Sequence, residues 1–187
     1  MRLRDLVLVA LFAGLMAVLA QISIAVPLLP VPITLQVVGL MLTATLLGGR
    51  LSALAMVVYV LLGLIGAPVY AGGHSGLSVL LGHTGGYLLS YPFAALLTGW
   101  LVQRRPTLGY GGALLATVAG MVIVYALGTL QLGLVLHLPL LKALWAGTGF
   151  FLAFDAIKLL AVAAIAVPVR SQLIRAGLVP AIAAHRG

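Results

Sequence analysis

Asp155 and Lys158 lie three residues apart in an otherwise apolar run, FLAFDAIKLL at positions 151–160. The whole chain has only two acidic residues, Asp5 and Asp155. Positions i and i+3 of a helix share one face, so this spacing places a carboxylate acceptor beside an ammonium donor. Such a pair can hydrogen-bond a ligand that carries N–H groups next to a carbonyl. The alternative is a structural ion pair that only holds helices together.

Two other segments carry hydrogen-bonding groups. PVPITLQ contains Thr34 and Gln36 in a stretch that its prolines make rigid, and it is either a ligand contact or a plain connector. The second segment, YAGGHSGLSVLLGHTGGYLLSY, is rich in glycine and offers His74 and Tyr87 as ligand contacts. Thr84 is predicted to cap the helix that follows, and the amides of residues 85 and 86 would then form an anion site at its N-terminus. The alternative is a loop that merely turns the chain.

The composition is that of an integral membrane protein. Of 187 residues, 64% are hydrophobic and only 6% are charged, whereas soluble domains carry about 25% charged residues. The formal charge is +8, but the arginines stand singly or in pairs between apolar runs, which argues against nucleic-acid binding. The apolar run after the basic N-terminus is too long for a typical signal peptide, so it is predicted to be a retained helix.

The elements that must position these residues are predicted to be helices. A membrane-spanning helix needs roughly 20 apolar residues, and the sequence predicts an all-α fold that forms a single domain over residues 1–187. We predict six transmembrane helices, at about residues 6–25, 36–47, 51–65, 87–102, 108–135 and 144–166. Asp155 is ten residues beyond Trp145, or about 15 Å deep at 1.5 Å per residue, near the middle of a bilayer.

The charges predict the topology of these helices. With a cytoplasmic N-terminus and six crossings, only Lys142 lies outside, and eight arginines lie inside: Arg2, Arg4, Arg50, Arg104, Arg105, Arg170, Arg175 and Arg186. This asymmetry follows the positive-inside rule and predicts that both termini are cytoplasmic. The loops that carry Thr34 and His74 then lie on the outer side.

The sequence disfavours an enzyme. It has no cysteine, no H-E-x-x-H motif and no nucleophile motif of the G-x-S-x-G type. The four histidines form no ligand pair within one helical turn, so we predict no metal site and no cofactor. The absence of a G-x-x-x-x-G-K-[ST] phosphate loop means that this chain is not itself an ATPase.

The segments PVPITLQ, GAPVYAGGHSGLSVLLGHTGGYL and FDAIK together resemble the BioY family, the biotin-binding S-components of energy-coupling factor (ECF) vitamin transporters. The likeness covers nearly the whole chain, with the motifs in the expected order. The family's loop usually reads G-P-T-G-G-Y, and His83 replaces the proline here.

The resemblance implies a role for each candidate residue. Asp155 would accept from a ureido N–H of biotin and Lys158 would donate to the ureido carbonyl. The remaining substrate-binding candidates are Tyr87, His74, Gln36 and Thr34, and the biotin tail would point outward, toward the glycine-rich loop.

The resemblance also implies partners. An S-component works in the cytoplasmic membrane of bacteria or archaea with a membrane coupling subunit and two cytoplasmic ATPase subunits. Ala13 and Ala17 on the first helix form a small-xxx-small pattern that permits close helix approach, and they resemble the docking surface of such proteins. The alternative functions are a stand-alone biotin transporter without an ATPase module, and a membrane protein with a purely structural ion pair.

Overall fold

The computed structural model describes residues 1–27, 29–105 and 108–178. Within these ranges the chain forms eight α-helices and one pair of two-residue strands. In chain order they are α1 (Leu3–Gln21), β1 (Ser23–Ile24), β2 (Ile33–Thr34), α2 (Gln36–Leu47), α3 (Gly49–Leu64), α4 (Leu77–Leu81), α5 (Gly85–Gln103), α6 (Tyr110–Val135), α7 (Leu140–Leu144) and α8 (Leu152–Arg175).

The six predicted helices correspond to α1, α2, α3, α5, α6 and α8, but the count of six membrane spans is not confirmed. Four helices, α1, α5, α6 and α8, are long and apolar enough to cross a membrane. The helices α2 and α3 are shorter, with 12 and 16 residues. Several apolar helices of this length mark a multi-pass membrane protein.

Helix α2 lies at the centre of the described bundle. It packs against α1, α3, α5, α6 and α8, and nine of its residues are buried, including Gln36, Thr43 and Thr45. Because α2 has neighbouring helices on every side, it needs no polar face, and its residues are apolar almost all round. Thr43 and Thr45 satisfy their hydroxyls on the backbone carbonyls of Gly39 and Met41, at 2.6 and 2.7 Å.

The chain between α1 and α2 is a short hairpin, which the all-α prediction missed. α1 ends at Gln21, not at residue 25, and Ser23 pairs with Thr34 in the antiparallel strands β1 and β2. The backbone amide of Leu35 also donates to Ile22 at 3.1 Å. Because prolines between the strands exclude a helix, the segment returns on itself and delivers Thr34 to the start of α2.

A π-helical turn, Trp145–Gly149, joins α7 to α8. The residues that flank it, Leu144, Phe150 and Phe151, have right-handed helical backbone angles, so the path into α8 stays helical. Such turns are rare and are found mostly at functional sites. This one lies two turns before Asp155. α8 then continues to Arg175, beyond the predicted end at residue 166. The predicted inner residue Arg186 lies outside the described residues.

Candidate functional site

A cavity of about 360 Å³ opens between the N-terminal ends of α2 and α5, the middle of α6 and the start of α8. Ligand pockets of proteins usually measure about 300–1,000 Å³. Five of the six predicted ligand-contact residues are polar side chains that line the cavity. Thr34, Gln36, Asp155 and Lys158 lie together at one end, and His74 lies beside Ala71 and Gly72. The sixth, Tyr87, forms part of the wall.

Asp155 and Lys158 form the predicted pair at the floor of this cavity. Lys158 Nζ donates to Asp155 Oδ1 at 2.7 Å and to the backbone carbonyl of Thr34 at 2.9 Å. Their side chains are only 7% and 14% exposed. Asp155 lies in the first turn of α8. The second contact of Lys158 ties α8 to the hairpin before α2.

Tyr125 on α6 is a third member of the floor that the sequence did not single out. Its hydroxyl donates to Asp155 Oδ2 at 2.6 Å, so each carboxylate oxygen has a protein donor. The signal was present in the sequence, because a tyrosine in the middle of an apolar helix needs a partner for its hydroxyl. Nothing in the spacing, however, identifies Asp155, thirty positions away, as that partner.

Gln36 and Thr34 extend the polar floor toward α3. Gln36 Nε2 donates to the hydroxyl of Tyr59 at 2.8 Å, and Thr34 Oγ1 donates to Gln36 Oε1 at 3.2 Å. The Tyr59 ring stacks on Tyr91 with centroids 6.5 Å apart, and it meets Tyr70 edge to face at 5.9 Å. This packing holds the amide of Gln36 in place at the cavity.

The hydrogen bonds made within the floor leave part of its capacity free. Lys158 has three N–H donors and uses two of them. The Asp155 carboxylate has about four acceptor positions and accepts from two donors. Gln36 keeps one further N–H. The floor can therefore accept hydrogen bonds from a ligand at Asp155 while it donates hydrogen bonds to the ligand at Lys158.

Tyr87 and His74 have different places in the cavity. Tyr87 is 9% exposed, and its hydroxyl donates to the Gly147 carbonyl of the π-helical turn at 2.8 Å. Its ring therefore serves as a wall, with its hydroxyl already engaged. His74 is exposed and lies by Gly72 at the mouth of the cavity. Among the described residues that line the cavity, His74 and Lys158 are the basic side chains.

The glycine pair at the start of α5 does not form the predicted anion site. Gly85 and Gly86 are buried, and a side chain on either would collide with the carbonyls of Leu80 and Leu127. Thr84 occupies the predicted cap position, but its side chain makes no capping hydrogen bond. These glycines permit close packing of α5 against α4 and α6, and so they shape the cavity wall indirectly.

The small residues of α1 lie on two different faces. Ala13 is 1% exposed and belongs to the core, and Ala17 is partly buried against the core. Ala10 and Gly14 are exposed instead, and a Cβ built on Gly14 would meet nothing within 4 Å. A partner that approaches α1 would therefore meet the face of Ala10 and Gly14, and Ala13 is not accessible to it.

Arg170, which the topology prediction placed among the charges on the inner side, is a buried cation. It lies within α8 and is 2% exposed. Its Nη1 donates to the carbonyls of Thr45 and Leu46 at 2.7 and 2.9 Å. No residue pattern predicts this contact, because its acceptors are backbone atoms at the end of another helix.

The chain has clear relatives among known proteins. The BioY family model matches residues 1–175. Proteins named biotin transporter BioY are similar to it: that of Thermotoga maritima is 41% identical, covering 88% of this chain and 95% of the relative. That of Rhizobium etli is 38% identical, covering 84% and 88%.

A solved structure shares the fold. The crystal structure of the S-component for biotin from an ECF-type ABC transporter superposes with a TM-score of 0.84 at 28% sequence identity. The match covers 90% of this chain and 91% of that one. The family match and the identity to these relatives lead to one conclusion: the chain belongs to the BioY family.

Proposed function

We propose that this chain binds biotin and mediates its uptake across the membrane as the substrate-binding S-component of an ECF-type transporter. The observation that carries the proposal is the floor of the cavity, where Asp155, Lys158 and Tyr125 form one hydrogen-bonded cluster. Membership of the BioY family and the solved biotin S-component support the choice of ligand. The described residues act as one ligand-binding domain in this proposal.

The ureido group of biotin matches the unused hydrogen-bonding capacity of the floor. Its N–H groups donate to Asp155, and its carbonyl oxygen accepts the third N–H of Lys158. Gln36 has one free N–H close to the same end of the cavity. The side chains of Asp155 and Lys158 are largely shielded from water by the protein. A ligand that forms hydrogen bonds with both therefore displaces few hydrogen bonds to water, which favours binding.

The rest of biotin lies toward the mouth of the cavity in this proposal. The thiophane ring rests against the apolar and aromatic wall of Leu88, Tyr87, Tyr91 and Val124. The valerate chain extends past Ala71 and Gly72, where His74 and the backbone amides of the loop are the donors available to its carboxylate.

The topology proposed for this function has six crossings, made by α1, α2, α3, α5, α6 and α8, with both termini cytoplasmic. The cavity then opens to the outside. The membrane coupling subunit docks on the exposed face of α1 that carries Ala10 and Gly14, and two cytoplasmic ATPase subunits supply the energy. Uptake of biotin in cells that lack every ECF ATPase would instead favour a stand-alone transporter.

The direct test is a titration of the detergent-purified protein with biotin and with 2-iminobiotin, in which an imino group replaces the ureido oxygen. We expect saturable biotin binding and at least about tenfold weaker binding of the imino analogue at neutral pH, where its guanidine group is protonated and presents an N–H donor and a positive charge to the Lys158 ammonium; a tenfold change corresponds to about 1.4 kcal/mol. Absence of biotin binding by folded protein would refute the proposal. Equal binding of the two compounds would refute the role of Lys158.

A further inference from the structure

Asp155 stands at the boundary between two hollows of the structure. Together with Met121 and Tyr125 it lines the polar cavity, and the same three residues also line a groove of about 370 Å³ between α6 and α8. The other residues of this groove are apolar, and several are exposed: Val118, Val122, Leu152 and Leu160. A rotation of α8 about its own axis would therefore turn the carboxylate away from the cavity and toward an apolar surface.

Two side-chain hydrogen bonds from α6 oppose such a rotation. Tyr125 donates to Asp155 at 2.6 Å, and the hydroxyl oxygens of Thr129 and Thr148 lie 2.9 Å apart. Thr129 is about one helical turn beyond Tyr125 on α6, and Thr148 lies in the π-helical turn, seven residues before Asp155. A single contact would leave α8 free to pivot, whereas two contacts at different heights fix its rotation against α6.

The hydrogen bond between Thr129 and Thr148 is not needed merely to satisfy a buried hydroxyl. Buried threonines on helices can donate to a carbonyl three or four residues earlier in the same helix, as Thr43, Thr45 and Thr117 do here. Thr129 is also buried, at 3% exposure, yet its hydroxyl contacts another segment. This contact therefore specifies how the π-helical turn sits against α6.

The packing around this contact leaves little room for movement. A Cβ built on Gly147 would lie 2.5 Å from the Tyr87 hydroxyl and 2.9 Å from atoms of Thr129 and Leu132. Tyr87 also donates to the carbonyl of Gly147, so α5 and α6 both hold the π-helical turn. Because a π-helical turn contains more residues than an α-helical turn, the side chains after it face a different direction from those of an unbroken α-helix.

We propose that Thr129 and Thr148 are positioning residues, whose hydrogen bond fixes the entry of α8 so that the Asp155 carboxylate faces the polar cavity and not the apolar groove. Neither hydroxyl needs to contact the ligand for this role. The consequence for biotin affinity rests on the proposed function, whereas the positioning of α8 depends only on the contact between α6 and the π-helical turn.

The test compares two buried threonines of α6 in the full-length purified protein. Thr129→Val removes the hydroxyl and keeps the shape. Thr117→Val is the matched control, since Thr117 is 0% exposed and its hydroxyl donates within its own helix. We expect Thr129→Val to weaken biotin binding roughly three- to tenfold and Thr117→Val to leave it unchanged. Equal affinities of the two variants would overturn the proposal.

Two further variants of this contact complete the comparison. Thr129→Ser keeps a hydroxyl and should bind biotin nearly as well as wild type, and a loss as large as that of Thr129→Val would contradict the role of the hydrogen bond. If Thr129→Val does not fold, the double variant Thr129→Val with Thr148→Val takes its place, because loss of both partners leaves no hydroxyl unpaired. The same three- to tenfold loss is expected for it.

A double-mutant cycle with Asp155→Asn separates positioning from a merely structural role. A residue that acts through Asp155 loses its effect once the carboxylate is gone, so the two substitutions should not be additive. We expect the effect of Thr129→Val on biotin affinity to fall below about twofold in the Asp155→Asn background. An equal loss in both backgrounds would make Thr129 merely structural.

Amide hydrogen exchange separates failure of this inference from failure of the proposed function. Exchange over residues 150–158 is measured without biotin in the wild type, in Thr129→Val and in Thr117→Val. We expect Thr129→Val alone to exchange faster in this segment, by at least about threefold, because loss of a tertiary contact eases local opening. This result would support the positioning of α8 even if the wild type did not bind biotin. Unchanged exchange in Thr129→Val would overturn it.

Discussion

At the scale of single residues, the site depends on how one buried carboxylate is satisfied. One carboxylate oxygen of Asp155 accepts a hydrogen bond from Lys158, and the other accepts one from Tyr125. A charged group at membrane depth is costly, by about 2.5–3.5 kcal/mol on insertion scales, so both donors contribute to holding the charge in place. Tyr125 thereby fixes the carboxylate orientation that a ligand would meet.

Replacement of Tyr125 by phenylalanine tests this positioning role. We expect Tyr125→Phe to weaken biotin binding by roughly tenfold, because a hydrogen bond to a charged group contributes about 1.5–3 kcal/mol and each 1.4 kcal/mol is tenfold in affinity. Isothermal titration calorimetry of the purified variant with biotin measures this change in affinity.

Tyr110→Phe is the matched control for this variant. Tyr110 begins the same helix, is 61% exposed and makes no side-chain hydrogen bond among the described residues. Its replacement should leave affinity unchanged. If Tyr125→Phe also binds biotin with wild-type affinity, Tyr125 does not position Asp155.

At the scale of elements, most of the helices could be predicted from the sequence, but the contacts between them could not. Apolar run length located the six longer helices, and the i, i+3 spacing identified the Asp155–Lys158 pair. The strand pair beside Thr34 and the burial of Ala13 are two of the features that the sequence did not predict. Each depends on which neighbour packs against a segment, and hydropathy does not contain that information when a helix is apolar on every side.

The two faces of α1 give a test of docking. We expect Gly14→Phe to reduce biotin uptake by cells roughly tenfold or more and to spare biotin binding, since overpacking a close helix contact costs about 1–3 kcal/mol. Gly14 is exposed with free space around it, so the variant should fold. Uptake is measured with radiolabelled biotin, and binding with the purified protein.

Ala13→Phe is the contrasting variant. Ala13 is buried in the core, so the added ring should lower thermal stability and, through it, both binding and uptake. Normal uptake with Gly14→Phe would exclude the exposed face of α1 as the docking surface.

At the scale of the whole molecule, the arrangement of charges is the basis of the orientation proposed above. Arg2 and Arg4 precede or begin α1, and Arg175 ends α8, so basic residues flank the described chain at both ends. Arg104 lies 3.7 Å from the Trp100 ring centroid near the end of α5, and tryptophan favours the membrane interface. Lys142, on α7, is at the other end of the helical path that leads into α8.

Cysteine labelling in intact cells tests this orientation. Because the chain has no native cysteine, Arg2→Cys, Lys142→Cys and Leu178→Cys each give one site. A membrane-impermeant maleimide applied outside should label only position 142, and lysed cells should label all three. Labelling of position 2 or 178 in intact cells would contradict a cytoplasmic location of that end.

The central claim is that Asp155 and Lys158 bind the ureido group of biotin and are not merely a structural ion pair. Biotin affinity of the double variant Asp155→Asn with Lys158→Met tests it most directly. Loss of either charge alone strands its partner in an apolar setting, which is strongly destabilising, whereas loss of both is often neutral. Thermal unfolding in detergent should therefore show the double variant folded and at least as stable as the single ones.

The account predicts that this folded double variant binds biotin at least about 10- to 100-fold more weakly than wild type, since each lost hydrogen bond to a charge contributes about 1.5–3 kcal/mol. Asp155→Asn alone should fall within the same range. A stable double variant with wild-type affinity would contradict the account and leave the pair as a structural contact between α8 and its neighbours.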